Sequence, residues 1–298
     1  MNLQDILSAT WEESERRKRK VSLKSLKHKV RDLPPALGFA RHISKRSFSV
    51  IAEIKTKSPS MGRMSLFAEK IADRAHLIYQ EHPVVSAISV LTQESHFGGS
   101  EARLRMVRRQ TRKPILRKDF IRDEYEVYFS RAIGADAILL MANVVTDKQH
   151  FSELHDLATE LGLDVLCEIH SEEELEVVPS SIRICGINSR RFKSSGAFFF
   201  SSLTRHVGKD ATTDLAAFDL FDKLPKNILK IAESGITSQN VGGVLKKYPF
   251  NAALIGTSLL QGDTKKELDY LDTAITAALL ASESIGETRR TERAFAHA

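Results

Sequence analysis

Eight short apolar runs of β type, helix-like segments between them, and charged or amide residues at the ends of five runs predict an α/β fold, a (β/α)8 TIM barrel with an N-terminal helical extension. Alternation of strand and helix calls for parallel strands joined by crossovers. A doubly wound open sheet would show the same alternation. The polar run ends favour the barrel. Glu53 and Lys55, Lys118, Glu168, Asn188 and Glu233 close runs one, three, five, six and seven, and closing the sheet brings them all to one mouth.

In chain order the runs are FSVIAEI (48–54), SAISVLT (86–92), PILRKD (114–119), DAILLMA (136–142), DVLCEIH (164–170), RICGIN (183–188), LKIAESG (229–235) and AALIGT (252–257). The intervening helices are predicted over 66–80, 100–110, 123–134, 146–162, 171–178 and 237–248, with a last one over 263–281. Asp123 is placed to cap a helix start, and Gly134 and Gly162 to end helices. The segment 189–228 is long for one crossover, so an extended loop is expected there beside the sixth helix. At the start, Leu3, Ile6, Leu7 and Trp11 share one helical face, which predicts an amphipathic helix lying over the barrel. The expected organisation is an extension over 1–47, a barrel over 48–282 and a basic tail over 283–298.

A chain of 298 residues with 42% hydrophobic and 28% charged content can bury one large core. No apolar run approaches the roughly 18 residues of a membrane span, and the first twenty residues lack the apolar centre of a signal peptide. A cytoplasmic protein without a membrane partner is expected. Cys167 and Cys185 sit in apolar runs without zinc-site spacing and read as reduced core thiols. The net charge of +6 is concentrated in ERRKRKVSLKSLKHKVR and ETRRTER. Neither stretch interleaves aromatics with its cations as a single-strand stacking platform would, so both read as solvated helical faces and no nucleic-acid partner is expected.

Side chains alternate along a strand, so Ile51, Glu53 and Lys55 share a face, and an inward Glu53 carries Lys55 into the mouth after it. The same parity turns Cys167 away from Glu168 and Cys185 away from Asn188. Gathering three acids, two lysines and an amide at one rim is costly unless they are paired or used. After the last two strands, ESGI (233–236) and IGTSLLQGD (255–263) put glycine and hydroxyl residues where backbone N–H groups can cradle a phosphate. A small phosphorylated substrate is expected. The ten histidines show no HExxH pattern and there is no GxGxxG, so neither metal nor cofactor is expected.

The stretches IAEIKTKSPSMG, ISVLTQESHFGGS, PILRKDFIRDEYEVYFSRAIGADAILLM, CEIHSEEELE, GINSRR, AESGI and ALIGTSLL follow one another between about 48 and 261 in the order of a known family. With them the chain resembles indole-3-glycerol phosphate synthase. The resemblance implies ring closure of 1-(2-carboxyphenylamino)-1-deoxy-D-ribulose 5-phosphate with loss of carbon dioxide and water, a carboxy-lyase step in tryptophan biosynthesis. It implies Lys118 as the general acid at the ribulose carbonyl, Glu168 in the proton transfers of dehydration, and Lys55 near the substrate carboxylate. It further implies that Glu53, Asn188 and Glu233 orient the substrate hydroxyls and the lysines. Ser58, Arg190, Ser234, Gly235, Gly256 and Thr257 would hold the phosphate, and Phe97 and Phe120 would wall the anthranilate ring.

The long span between Asn188 and Glu233 and the basic end after Ser282 depart from the family pattern without removing any of these residues. Two other readings are weighed. Another phosphosugar barrel, such as a phosphoribosylanthranilate isomerase or a ribulose-phosphate epimerase, needs one acid and one base over adjacent carbons, and this rim offers two lysines and three carboxylates. A non-enzymatic basic binding protein would have no need of the charged strand ends. The protein is expected to be a monomer or a weak homo-oligomer.

Overall fold

A computed structural model describes residues 3–58, 62–63, 68–192 and 211–295, with side chains at 58, 62–63, 191–192, 211–212 and 283–295 outside the description. Eight parallel strands close into a barrel: β1 (Ser49–Ile54), β2 (Val85–Leu91), β3 (Ile115–Lys118), β4 (Ala137–Met141), β5 (Asp164–Ile169), β6 (Ile184–Asn188), β7 (Leu229–Glu233) and β8 (Ala252–Ile255). Each strand pairs with its neighbours in sequence, and β8 closes onto β1 in the register Ser49–Ala252 to Ala52–Ile255. The predicted fold and all eight strands are present.

Period two sorts each strand between two apolar clusters. Ile51, Ala87, Leu116, Leu139, Leu166, Ile184, Ile231 and Ala252 fill the interior, while residues such as Val50, Ile88, Ile115, Ile138, Val165 and Ala253 pack outward against the helices. Cys167 and Cys185 are buried free thiols of the outer set and face each other in register across β5 and β6. Asp123 caps its helix by accepting from Glu126 N at 3.0 Å, and Gly134 and Gly162 hold left-handed backbones with φ of 100° and 76°.

The extension comprises three helices: α1 (Leu3–Lys20), α2 (Leu23–Arg31) and α3 (Phe39–Ile43). Ser22 separates the first two by capping α2 through Ser25 N. α1 lies at the mouth, where the Glu13 carboxylate accepts from Gln93 Nε2, Glu94 N, Ser95 N and Ser95 Oγ at 2.6–3.2 Å. At the opposite end, Asp136 and Asp164, where β4 and β5 begin, accept from Leu37 N at 2.7 Å and Ala40 N at 2.9 Å. The extension therefore braces both ends of the barrel.

Several expectations are corrected. Ile6 is fully buried, but Trp11 of the same predicted face is 46% exposed, carrying Lys18 at 4.8 Å and Arg122 at 5.7 Å from its ring. Cation–π stacking at the surface takes the place of burial. The basic run is more than a solvated face: Arg17 pairs with Glu126 at 2.9 Å and Lys18 with Asp123 at 2.8 Å. The predicted helix over 171–178 shortens to a single 3-10 turn, Glu173–Glu176. Its consecutive glutamates repel one another, and Pro179 disfavours helical backbone at Val178. The sixth helix is likewise a 3-10 segment, Leu215–Lys223, preceded by an antiparallel ribbon of Arg190–Phe192 with Ala211–Thr213. The rest of the expected long loop, 193–210, lies outside the described residues. The last helix runs from Thr264 to Phe295, through the expected boundary at 282, and the side chains of the basic tail lie outside the description.

Candidate active site

Period two at the strand ends delivers the expected convergence. Glu53, Lys55, Lys118, Glu168, Asn188 and Glu233 line one cavity of about 300 Å³ at the C-terminal mouth. Its floor is the apolar interior of the barrel, through Leu91, Leu139, Met141 and Leu254. Phe97 and Phe120 form one wall, their rings tilted and 6.0 Å apart. Arg190, Ser234, Gly235, Gly256 and Thr257 stand at the side where the β6, β7 and β8 ends meet. Of the predicted site residues only Ser58 is unplaced, since its side chain lies outside the described residues.

Lys118 Nζ donates to Glu233 Oε2 at 2.9 Å and to Glu168 Oε2 at 3.1 Å. Lys55 Nζ pairs with Glu53 Oε1 instead of reaching Lys118 or Glu168, so the mouth holds two separate lysine–carboxylate sets. Two glycines leave room for them: a Cβ at Gly186 would collide with Glu233 Oε1, and one at Gly256 with Glu53 Oε1. Just after β7, Ser234 and Gly235 adopt φ of 67° and 72° in succession. Left-handed backbone at a residue other than glycine is strained, and Ser234 carries it at the rim of the cavity that it and Gly235 both line.

Burial opposes the charge on each of these groups, and neighbours decide which keep it. For Lys118 burial pulls the pKa down, but Glu168, Glu233 and Glu53 outweigh it and hold the ammonium above the ordinary lysine range. For Lys55 burial prevails, helped by Arg190 and Lys118 against Glu53, and the pKa falls. Glu53 keeps its charge because Lys55, Lys118 and Arg190 overcome burial. Burial and the Glu168 carboxylate push Glu233 up against Lys118, whereas Lys118 and His170 overcome burial and hold Glu168 down. The site thus combines a firmly protonated cation, an ionised carboxylate and a carboxyl that retains its proton toward neutral pH. That set can deliver and accept protons over one bound substrate.

The sequence reading missed Asp119, Thr213, Thr237, Ser258 and Gln261, which also line the cavity. Asp119 follows β3 directly, Thr213 comes from the ribbon, Thr237 follows β7, and Ser258 and Gln261 follow β8. It also missed His170, whose Nε2 stands 3.3 Å from Glu168 Oε1. The parity of CEIH, residues 167–170, would have found it. Among the described residues no group of three or more His, Cys, Asp or Glu is arranged to hold a metal ion.

A closed parallel barrel with lysine–carboxylate sets over an apolar cavity at its C-terminal mouth defines a (β/α)8-barrel enzyme of the acid–base kind. The model of the indole-3-glycerol phosphate synthase family matches residues 3–271. The chain belongs to that family. The relative of this name from Lachnospira eligens is 40% identical over 227 residues, 76% of this chain and 79% of its own. That from Arthrobacter sp. (strain FB24) is 35% identical over 288 residues, 94% of this chain and 98% of its own. Among solved structures, N-(5'-phosphoribosyl)anthranilate isomerase from Pyrococcus furiosus covers 77% of this chain and 99% of its own at 14% identity, with a TM-score of 0.51. The 3-hexulose-6-phosphate synthase from Salmonella typhimurium gives a TM-score of 0.53 at 12% identity, covering 77% of this chain and 99% of its own. At such identities the likeness is one of fold.

Proposed function

We propose that this site carries out the reaction of its family: ring closure of 1-(2-carboxyphenylamino)-1-deoxy-D-ribulose 5-phosphate, with decarboxylation and dehydration, to indole-3-glycerol phosphate. The observation that carries the reading is Lys118, a buried ammonium held between Glu168 and Glu233 over an apolar cavity walled by Phe97 and Phe120. In this reading Lys118 protonates the ribulose carbonyl as the aromatic carbon attacks it. Carbon dioxide then leaves beside Lys55, and Glu168 serves the proton transfers that expel water. Glu53, Asn188 and Glu233 orient the hydroxyls and the lysines. Arg190, the Ser234–Gly235 turn, Gly256 and Thr257, with Ser58, take the phosphate, an assignment supported by two buried polar atoms without a partner on that side, Arg190 Nε and Ser258 Oγ.

The reading also places the enzyme in the cytoplasm, as a monomer or weak homo-oligomer with no nucleic-acid partner. Among the described residues no helix is long and apolar enough to cross a membrane. The test supplies purified protein with the carboxyphenylamino-deoxyribulose phosphate and follows indole absorbance or fluorescence. Product proportional to enzyme is expected, and no product at any protein concentration overturns the reading.

A further inference from the structure

The two oxygens of Glu168 have different surroundings. Oε2 receives Lys118 Nζ at 3.1 Å. Oε1 is buried and faces His170 Nε2 at 3.3 Å, an ion-pair distance at an angle unsuited to a hydrogen bond, while the Glu233 carboxyl and the Asn188 amide also bear on this carboxylate and favour its charged form. His170 comes to this place by the rule that brings Lys55 after Glu53: two residues beyond Glu168, it leaves β5 on the same face. Its far side is braced. Nδ1 lies 3.4 Å from Glu174 Oε2, and that same oxygen accepts from His170 N at 2.7 Å. Glu174 belongs to the 3-10 turn after β5 and is 19% exposed, so the row Glu168–His170–Glu174 runs from the cavity toward solvent. His170 is absent from the cavity lining, so any effect it has on substrate passes through Glu168.

We propose that His170, braced by Glu174, is a positioning residue that holds the Glu168 carboxylate ionised and turned toward Lys118 during turnover. The proposal rests on assigning proton transfer to Glu168. A carboxylate that loses the cation beside one of its oxygens can turn or pick up a proton out of line with the substrate. An imidazolium beside that oxygen opposes both, because its charge favours the ionised form and attracts the oxygen to one side. The groups facing the imidazole are Glu168 on its own strand, Glu174 on the following turn, Lys118 from β3 and the Asn143 amide, whose Nδ2 is 3.3 Å from Nδ1. Burial and Lys118 oppose the charge on His170, and Glu174 and Glu168 outweigh them and raise it above the usual histidine range. Loss of that proton as pH rises removes the positive charge next to Glu168, so the alkaline limb of turnover depends on His170.

The test measures kcat and KM of the full chain against pH for His170→Gln, Glu174→Gln, Glu168→Gln and the double variant Glu168→Gln with His170→Gln, with fold checked by circular dichroism. His170→Gln is expected to lower kcat on the order of tenfold, the lower end of what loss of an outer partner costs at metal sites, with KM little changed and the alkaline limb displaced. Glu174→Gln, at a partly exposed position that burdens folding less, should move that limb to lower pH. In the Glu168→Gln background, His170→Gln should cost nothing further, since it acts through the group already removed. Parental kcat and pH profile in His170→Gln, or a fully additive double variant, would overturn the proposal. Undiminished turnover in Glu168→Gln would overturn it too, and would put the fault in the role given to Glu168.

Discussion

Arg117 and Lys118 are consecutive cations on β3, and period two points the first at the surrounding helices and the second into the mouth. Both are surrounded by carboxylates. The Arg117 guanidinium has a partner for every donor: Thr92 Oγ1 at 2.9 Å, Asp119 Oδ2 at 2.8 Å, Glu126 Oε2 at 2.7 Å, Ser130 Oγ at 3.0 Å and the Glu126 carbonyl at 3.3 Å. Its carboxylates are equally occupied, for Asp119 also accepts from Phe120 N and Glu126 from Ser14 and Arg17. Around Lys118, by contrast, each carboxyl gives only one oxygen to the ammonium, and the other, Glu168 Oε1 or Glu233 Oε1, receives no N–H donor of hydrogen-bond geometry. A saturated ion network fixes one structure, and an unsaturated one has capacity left for a substrate. Two adjacent residues of like charge thus separate support from chemistry.

The sharpest way to break this comparison is to remove each cation. Lys118→Ala should lower turnover by about two to four orders of magnitude, the scale of losing a positioned proton donor, and leave the fold intact, because Glu168, whose charge Lys118 sustains, can take up a proton once the ammonium is gone. Steady-state indole formation with a parallel thermal melt checks both halves, and near-normal turnover would remove Lys118 from the mechanism. Arg117→Met should do the reverse. It strands the buried Asp119 and Glu126 carboxylates and should cost about 3–5 kcal/mol of stability, read as a fall in the urea midpoint. Turnover per folded molecule should suffer far less than in Lys118→Ala.

Glu233 and Glu126 give the comparison opposite signs in pH. Burial would raise Glu126, but Arg117 and Arg17 prevail and bring it to about 2, so its contribution to stability is present above the ordinary carboxylate value of 4.5 and is lost as pH falls toward about 2. Glu233 is pushed up, so the native state binds more protons than the unfolded chain above that ordinary value, and stability falls as pH rises through the window. Glu233→Gln removes that penalty. It should raise the melting temperature at neutral and alkaline pH, leave it unchanged in acid and lower turnover, a gain in stability at the expense of function. A lower melting temperature at neutral pH would show that Glu233 is ionised and paired in the resting enzyme.

The difference between the two networks also explains what could be read from the sequence. The mouth was legible because it follows from one rule applied at the strand ends: once eight parallel strands are counted, period two places Glu53, Lys55, Lys118, Glu168 and Glu233 together. The support around Arg117 was not. Asp119 shares the strand end with Arg117, but Thr92 follows β2 and Glu126 and Ser130 lie on the helix Glu124–Ile133, and whether they meet Arg117 is decided by how that helix packs on the sheet. Trp11 was misread for the same reason, since its exposure depends on Lys18 and on Arg122 from another element. The pairing of Lys55 with Glu53 across the short span of its own strand end, instead of with the Lys118 set, likewise depends on where charges balance once buried.

The smallest expected effect lies where the saturated network meets α1. Ser14 Oγ donates to Glu126 Oε1 at 2.6 Å and is buried, but Arg17 Nη2 shares that oxygen at 2.9 Å and Arg117 holds the other. Ser14→Ala therefore removes one hydrogen bond to a carboxylate that keeps two cations, and should cost about 1–2 kcal/mol, readable as a small fall in the urea midpoint. Because Glu126 reaches the mouth only through Arg117 and Asp119, kcat should stay within about twofold of the parent, well inside the tenfold that 1.4 kcal/mol at the transition state would produce. A larger fall in kcat with stability unchanged would mean that the helix over the mouth transmits strain to Lys118, and that the outer network takes part in the chemistry it otherwise only supports.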